Sequence, residues 1–201
     1  MRLFTALDVD PEIKSSFQSA VRELRQTRAP VRWVKPEAMH LTLKFLGETP
    51  EEKLSPLGYL LEEVCRNIYP FTVIFSGMGA FPGLSRPRVL WAGVEEPSGT
   101  LGALAERMEN GFSELGWEKE KRKFHPHVTV GRVKGNINLK QLSDAVSRLQ
   151  ERSWGRQETT GVSLYRSHLE PTGARYEVVQ FFPFVGQSSG ARDQGSDTLR
   201  T

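Results

Sequence analysis

The opening residues, Arg2-Leu3-Phe4-Thr5-Ala6-Leu7-Asp8-Val9, alternate: Leu3, Thr5, Leu7 and Val9 fall on one side and Phe4 and Ala6 on the other. A period of two predicts a half-buried strand. Asp10-Pro11 then suits a helix start, an N-cap followed by proline at the first helical position. Ile13, Phe17, Ala20, Val21 and Leu24 continue at helical spacing to near Arg28. A second extended segment is expected over His40 to Phe45, closed by Gly47. Thr49-Pro50-Glu51-Glu52 opens another helix, with Leu54, Leu57, Leu61, Val64, Cys65 and Ile68 as its apolar stripe, and Phe71 to Phe75 reads as strand again.

From Arg88 the order repeats. Val89 to Val94 is strand-like, and Glu96-Pro97-Ser98 opens a helix carrying Leu101, Leu104, Met108, Phe112 and Leu115. His127 to Val133 is the next strand, Asn138 caps a fourth helix with Leu139, Leu142, Val146 and Leu149 inward, and strands near 161–169 and 175–184 close the pattern. Pro11 to His40 is 29 residues and Pro97 to His127 is 30, while His40 to Glu51 and His127 to Asn138 are both 11. This agreement predicts one domain over 1–185 built from two similar halves, 1–87 and 88–185. Gly186 to Thr201 lacks apolar periodicity and is expected to be a disordered tail.

Composition narrows the class without changing this outline. With 201 residues, 38% hydrophobic and 25% charged, the chain is of ordinary soluble composition, neither fibrous nor globally disordered. Cys65 is the only cysteine, which excludes an intrachain disulfide framework and cysteine-based zinc clusters and fits a reducing cytoplasm. Asp8 and Asp10 break the N-terminal apolar run before it reaches signal-peptide length. The longest uncharged stretch, 67–85, contains Pro70, Gly77, Gly79, Pro82 and Gly83, so it reads as a strand and loop rather than a membrane span. A cytoplasmic monomer with no membrane contact is the expectation. The net charge is only +3, but Arg22, Arg25, Arg28, Arg32 and Lys35 gather before one histidine and Lys119, Lys121, Arg122, Lys123, Arg132 and Lys134 around another. That placement suits a polyanion such as RNA.

Each half carries one tetrapeptide at the same point: His40-Leu41-Thr42-Leu43 and His127-Val128-Thr129-Val130. In a strand, alternate residues share a face, so imidazole and hydroxyl point together while the aliphatic pair points inward. Composition alone predicts about 0.03 such matches in the chain, against two at equivalent positions. Two histidines offered from two half-sheets suggest complementary acid and base roles near neutral pH, and two hydroxyls suit the non-bridging oxygens of a phosphate. A cyclic phosphodiester would need only a base to activate water and an acid for the departing ribose oxygen. Competing readings are satisfied core histidines, or a zinc site in which His125 and His127 join His40 and His168; neither tetrapeptide supplies a carboxylate for the latter. Further candidates for substrate binding are Lys44, on the His40 face by alternation; Arg132, opposite His127 unless the strand bulges; Phe4, as a base-stacking platform; and His125.

These motifs, together with Arg2-Leu3-Phe4, Val31-Arg32-Trp33-Val34, Lys44-Phe45-Leu46-Gly47, Pro87-Arg88-Val89-Leu90-Trp91-Ala92-Gly93-Val94, Gly131-Arg132 and Gly173-Ala174-Arg175-Tyr176, resemble the 2H phosphoesterase superfamily. Within it, the chain is similar to the RNA 2′,3′-cyclic phosphodiesterases first described as 2′-5′ RNA ligases, over roughly residues 1 to 185. The resemblance implies a bilobal α+β fold with two antiparallel sheets lining a central cleft and helices outside. It further implies hydrolysis of RNA 2′,3′-cyclic phosphate ends to 2′-phosphates, with ATP-independent 2′-5′ ligation as the reverse type of reaction, and no metal or other cofactor. Residue by residue, His40 would be the proton donor, His127 the proton acceptor, and Thr42 and Thr129 phosphate ligands. His168 stands where arginine is expected in relatives. A module that binds nucleotide or RNA ends without turnover, and a phosphodiesterase for another small cyclic phosphate, are the alternatives to this reading.

Overall fold

In a computed structural model, which describes residues 1–170 and 173–186, the chain alternates strands with four helices. Its elements are β1 (Arg2–Asp8), α1 (Pro11–Arg25), β2 (Val31–Trp33), β3 (His40–Glu48), α2 (Leu54–Arg66), β4 (Phe71–Phe81), β5 (Val89–Glu95) and α3 (Thr100–Glu114), followed by β6 (His127–Val133), α4 (Leu139–Ser147), β7 (Ser153–Thr159), β8 (Gly161–Glu170) and β9 (Gly173–Pro183). The apolar stripes read from the sequence are the buried faces of the helices, among them Ile13, Phe17, Ala20, Val21 and Leu24 on α1 and Leu104, Met108 and Phe112 on α3. Together with Leu7, Leu41, Leu90, Val128 and Val162 from the strands they form one hydrophobic core on the helix side of the sheet. Among the described residues, no helix is long and apolar enough to cross a membrane.

All strand pairings are antiparallel and join into one curled sheet in the order β7-β4-β5-β6-β3-β1-β8-β9, with β2 added to β6. The expected pair of sheets is therefore a pair of half-sheets, β9-β8-β1-β3 and β6-β5-β4-β7, held edge to edge. Their seam is thin: β3 and β6 share the single register pair Leu41 and Val128. The halves also exchange strands, since β4 pairs with β5 and β7, while the late strand β8 returns to β1.

Several segments depart from the sequence expectations, the three-residue strand β2 among them. Strand β4 runs on to Phe81, through a stretch read as loop because of its glycines. Gly77 takes φ +67° at a bulge opposite β5, and a Cβ at Gly79 would lie 2.3 Å from the Trp91 ring, so each glycine serves the sheet. Strand β7 escapes the periodicity because its buried positions Trp154, Gln157 and Thr159 include two polar residues and break strict alternation. At the C-terminal end, Gly186 is buried and its N–H donates to the carbonyl of Ile68, so it belongs to the fold; the rest of the expected tail lies outside the described residues.

Candidate active site

Leu41 and Val128 face the core and are fully buried, so their strand neighbours face the other way. Continuing the antiparallel register one step in each direction from that pair sets His40 opposite Thr129 and Thr42 opposite His127. The seam thus gathers both histidines and both threonines on the open face, drawn from residues 85 or more apart in the chain. Neither threonine hydroxyl bonds a described protein group, which leaves both free to donate to a ligand.

Each imidazole is tethered by the carbonyl two residues before it. His127 Nδ1 lies 2.7 Å from the His125 carbonyl, and His40 is hydrogen-bonded to the backbone of Ala38. A ring nitrogen that donates to a carbonyl carries the proton of the neutral form, so the other nitrogen is the acceptor. Both rings are enclosed by aromatics. Phe4, Tyr165 and Tyr176 have ring centres 4.7, 5.7 and 5.1 Å from His40, while Phe81 and Trp91 stand 5.0 and 6.5 Å from His127.

This enclosure lowers both proton affinities. Desolvation is the largest cause at His40 and brings its pKa to about 4, with the Lys14 ammonium adding to it and the Asp8 carboxylate opposing it. At His127 burial again dominates, and the charges of His125 and Arg132 push the same way. Asp8, which the sequence reading passed over, is directly opposite His40 in the β1 and β3 ladder. Its carboxylate accepts hydrogen bonds from Ser163 Oγ at 2.6 Å and from the Tyr165 hydroxyl. The signal for it was present, because Asp8 continues the Phe4 and Ala6 face by simple alternation.

The remaining candidates are sorted by two bulges. Pairing of β1 with β3 steps from Ala6 and Thr42 to Thr5 and Lys44, leaving Leu43 extra, so Leu43 and Lys44 both turn inward. Lys44 is therefore off the His40 face, contrary to expectation. It is 5% exposed, and its Nζ donates to Glu109 Oε1 at 2.6 Å and to the Glu118 carbonyl at 2.7 Å. Phe45, which the sequence reading did not single out, takes the vacated place and is 59% exposed. In β6 the matching irregularity leaves Val130 extra, Val130 and Gly131 are buried, and Arg132 returns to the face of His127 and Thr129. Phe4 does lie on the open face, but Phe45, Tyr165 and Tyr176 cover it to 1% exposure, so it supports the His40 ring and cannot itself stack on a base. His125 packs edge-on against Phe81 and Trp91 and supplies the carbonyl that holds His127. His168 is apart from this group, with Nε2 2.8 Å from Glu177 Oε2. Among the described residues, no cluster of three or more histidine, cysteine, aspartate or glutamate side chains is arranged to hold a metal ion. Burial pushes the Cys65 thiol up to about 12, which rules it out as a nucleophile at neutral pH.

The buried Lys44 contact makes a stability prediction. Lys44→Met leaves Glu109 without its ammonium partner and is expected to cost about 1–3 kcal/mol. That corresponds to a melting point lower by roughly 2–4 °C per kcal/mol for a chain of this size. A thermal melt of the variant checks it, and an unchanged midpoint would show the ion pair to be inert.

Two antiparallel half-sheets that each present a histidine and a threonine across one seam define a two-histidine phosphoesterase. The model of the 2′-5′ RNA ligase superfamily matches residues 13–168, and the chain belongs to that superfamily. Among its relatives are the proteins named RNA 2′,3′-cyclic phosphodiesterase of Archaeoglobus fulgidus, 39% identical, and of Methanothermobacter thermautotrophicus, 35% identical. Both alignments run over 182 residues and cover 90% of this chain, with 99% and 98% of the respective relatives. In structure the chain is similar to TT0787 of Thermus thermophilus, at 32% identity and a TM-score of 0.78, covering 93% of this chain and 100% of that one. It is also similar to E. coli LigT complexed with 3′-AMP, at 26% identity and a TM-score of 0.73, covering 91% and 97%.

Proposed function

We propose that this protein hydrolyses the 2′,3′-cyclic phosphate at the end of an RNA chain to a 2′-phosphate, acting as a monomer in the cytoplasm. The observation that carries this reading is the Leu41 and Val128 register, which brings both histidine and threonine pairs to the seam on the open face. The relatives named RNA 2′,3′-cyclic phosphodiesterase, and the nucleoside phosphate held by a structural neighbour, support the choice of substrate.

In this mechanism the free nitrogen of His127 takes a proton from water as its oxygen bonds to phosphorus. Thr42 and Thr129 donate to the non-bridging oxygens, where charge builds up in the transition state. His40 delivers a proton to the 3′ oxygen as the bond from phosphorus to that oxygen breaks. Burial lowers the proton affinity of both rings and outweighs the nearby charges; among those charges, Asp8 favours a cationic His40 against Lys14, and Arg132 and the His125 ring disfavour a cationic His127 against the His125 carbonyl. A ribose 5′ hydroxyl in place of water would give a 2′-5′ linkage by the same two proton transfers, His127 taking the hydroxyl proton and His40 protonating the departing 3′ oxygen.

The test is conversion of a short RNA bearing a 2′,3′-cyclic phosphate, with 2′- and 3′-phosphate products resolved; release of the 3′-phosphate alone would contradict the assigned leaving group. A pH profile follows from the lowered proton affinities. Above about 4 the free His40 loses the proton it must donate, and at the acidic end His127 gains one it must not have. The optimum of kcat/KM is therefore expected below 6.5, the ordinary histidine value. The bound phosphate anion favours cationic His40, so the alkaline limb of kcat should lie at higher pH than that of kcat/KM. A flat profile between pH 4 and 9 would remove the two-histidine mechanism.

A further inference from the structure

The bulge that returns Arg132 to the catalytic face creates a second feature there. In the pairing of β2 with β6, Arg32 is directly opposite Arg132, flanked by the pairs Val31 with Val133 and Trp33 with Gly131. Val31 and Trp33 pack against the core, and a Cβ on Gly131 would come within 2.8 Å of Val31 and 3.0 Å of Trp33. That packing fixes the register, since a slip by one residue would drive Arg32 into the core and Trp33 into water. Arg32 is consequently held on the same face as Arg132, Thr129 and His127.

Like charges directly opposite on neighbouring strands repel, and their Cβ atoms are only about 5 Å apart in such a pair. Nothing on the described chain offsets this. Neither guanidinium makes an ion pair or hydrogen bond with a described residue, although Lys44 and Arg152 find carboxylates at 2.6 and 2.5 Å. Both arginines are exposed. The unfavourable pair becomes favourable once an anion bridges it, and planar guanidinium groups suit a phosphate through paired hydrogen bonds. The pair lies one same-face step beyond Thr129, roughly 7 Å along the strand, a step comparable with the advance from one phosphate to the next in a nucleic-acid chain.

We propose that Arg32 and Arg132 form a second phosphate site, which takes the internucleotide phosphate next to the cyclic end and so selects an oligonucleotide over a cyclic mononucleotide. This rests on the function proposed above. It makes Arg32 a specificity determinant that reads chain length and takes no part in bond breaking.

The experiment compares steady-state hydrolysis of a 2′,3′-cyclic mononucleotide with that of a short oligoribonucleotide carrying the same end, in the wild-type protein and in Arg32→Gln. The wild type is expected to favour the oligonucleotide in kcat/KM by about tenfold or more, the scale of charge-assisted hydrogen bonds. Arg32→Gln should erase that preference, keep mononucleotide turnover within twofold, and flatten the logarithmic salt dependence for the oligonucleotide by about 0.7. Equal losses on both substrates, or an unchanged preference, would overturn the proposal. If the wild type hydrolyses neither substrate, the catalytic reading fails separately. Anisotropy of the labelled oligonucleotide then decides the phosphate site, and an undiminished salt slope in Arg32→Gln would overturn it.

Discussion

His40→Ala and His127→Ala are each expected to reduce turnover of an RNA cyclic phosphate by about 10²–10⁴, the range for loss of a positioned acid or base. The two are separable by leaving group. A phosphodiester with a nitrophenolate leaving group departs without protonation, so His40→Ala should recover much of its loss on that substrate while His127→Ala, still lacking a base for water, should not. Reversal of this pattern would exchange the two roles. Combining both substitutions should cost far less than the product of the single effects, because residues that act as a unit are not additive. Neither ring carries an interhalf hydrogen bond among the described residues, so the variants should still fold, with a lower melting point from the void left among the enclosing aromatic rings, and a collapsed melt would mark these histidines as structural.

Thr42→Val and Thr129→Val are expected to lower kcat by up to about 10²–10³ each, the scale seen when one donor to a developing oxyanion is removed. Valine preserves shape and strand preference while deleting the hydroxyl. Since neither hydroxyl bonds a described protein group, no internal partner is orphaned and stability should hold. The effect should fall on kcat more than on KM, because the donors meet the charge that builds up in the transition state. Equal loss in KM with kcat unchanged would make the threonines ground-state binders. A combined loss no larger than either single loss would show that one phosphate oxygen is shared by both.

Arg132 and Lys44 show where reading the chain alone stops. Counting by twos put Lys44 beside His40 and Arg132 away from His127, and both placements are inverted by bulges that leave Leu43 and Val130 extra. A bulge belongs to a pair of strands, so it is written in neither strand by itself. Phe4 is a different case: its face was legible, but the three rings that cover it come from β3, β8 and β9.

The alternating and helical periods, the core stripes of four helices, and the shared face of histidine and threonine within each tetrapeptide were all determined by the sequence, because they follow from backbone geometry over a few residues. Tertiary structure alone decided that β4 and β8 cross between the halves and that Leu41 meets Val128. The pairing of Arg32 with Arg132 was settled at the same level. Those facts depend on which distant segments pair and in what register, and that choice is made by burial of the whole core rather than by any local pattern.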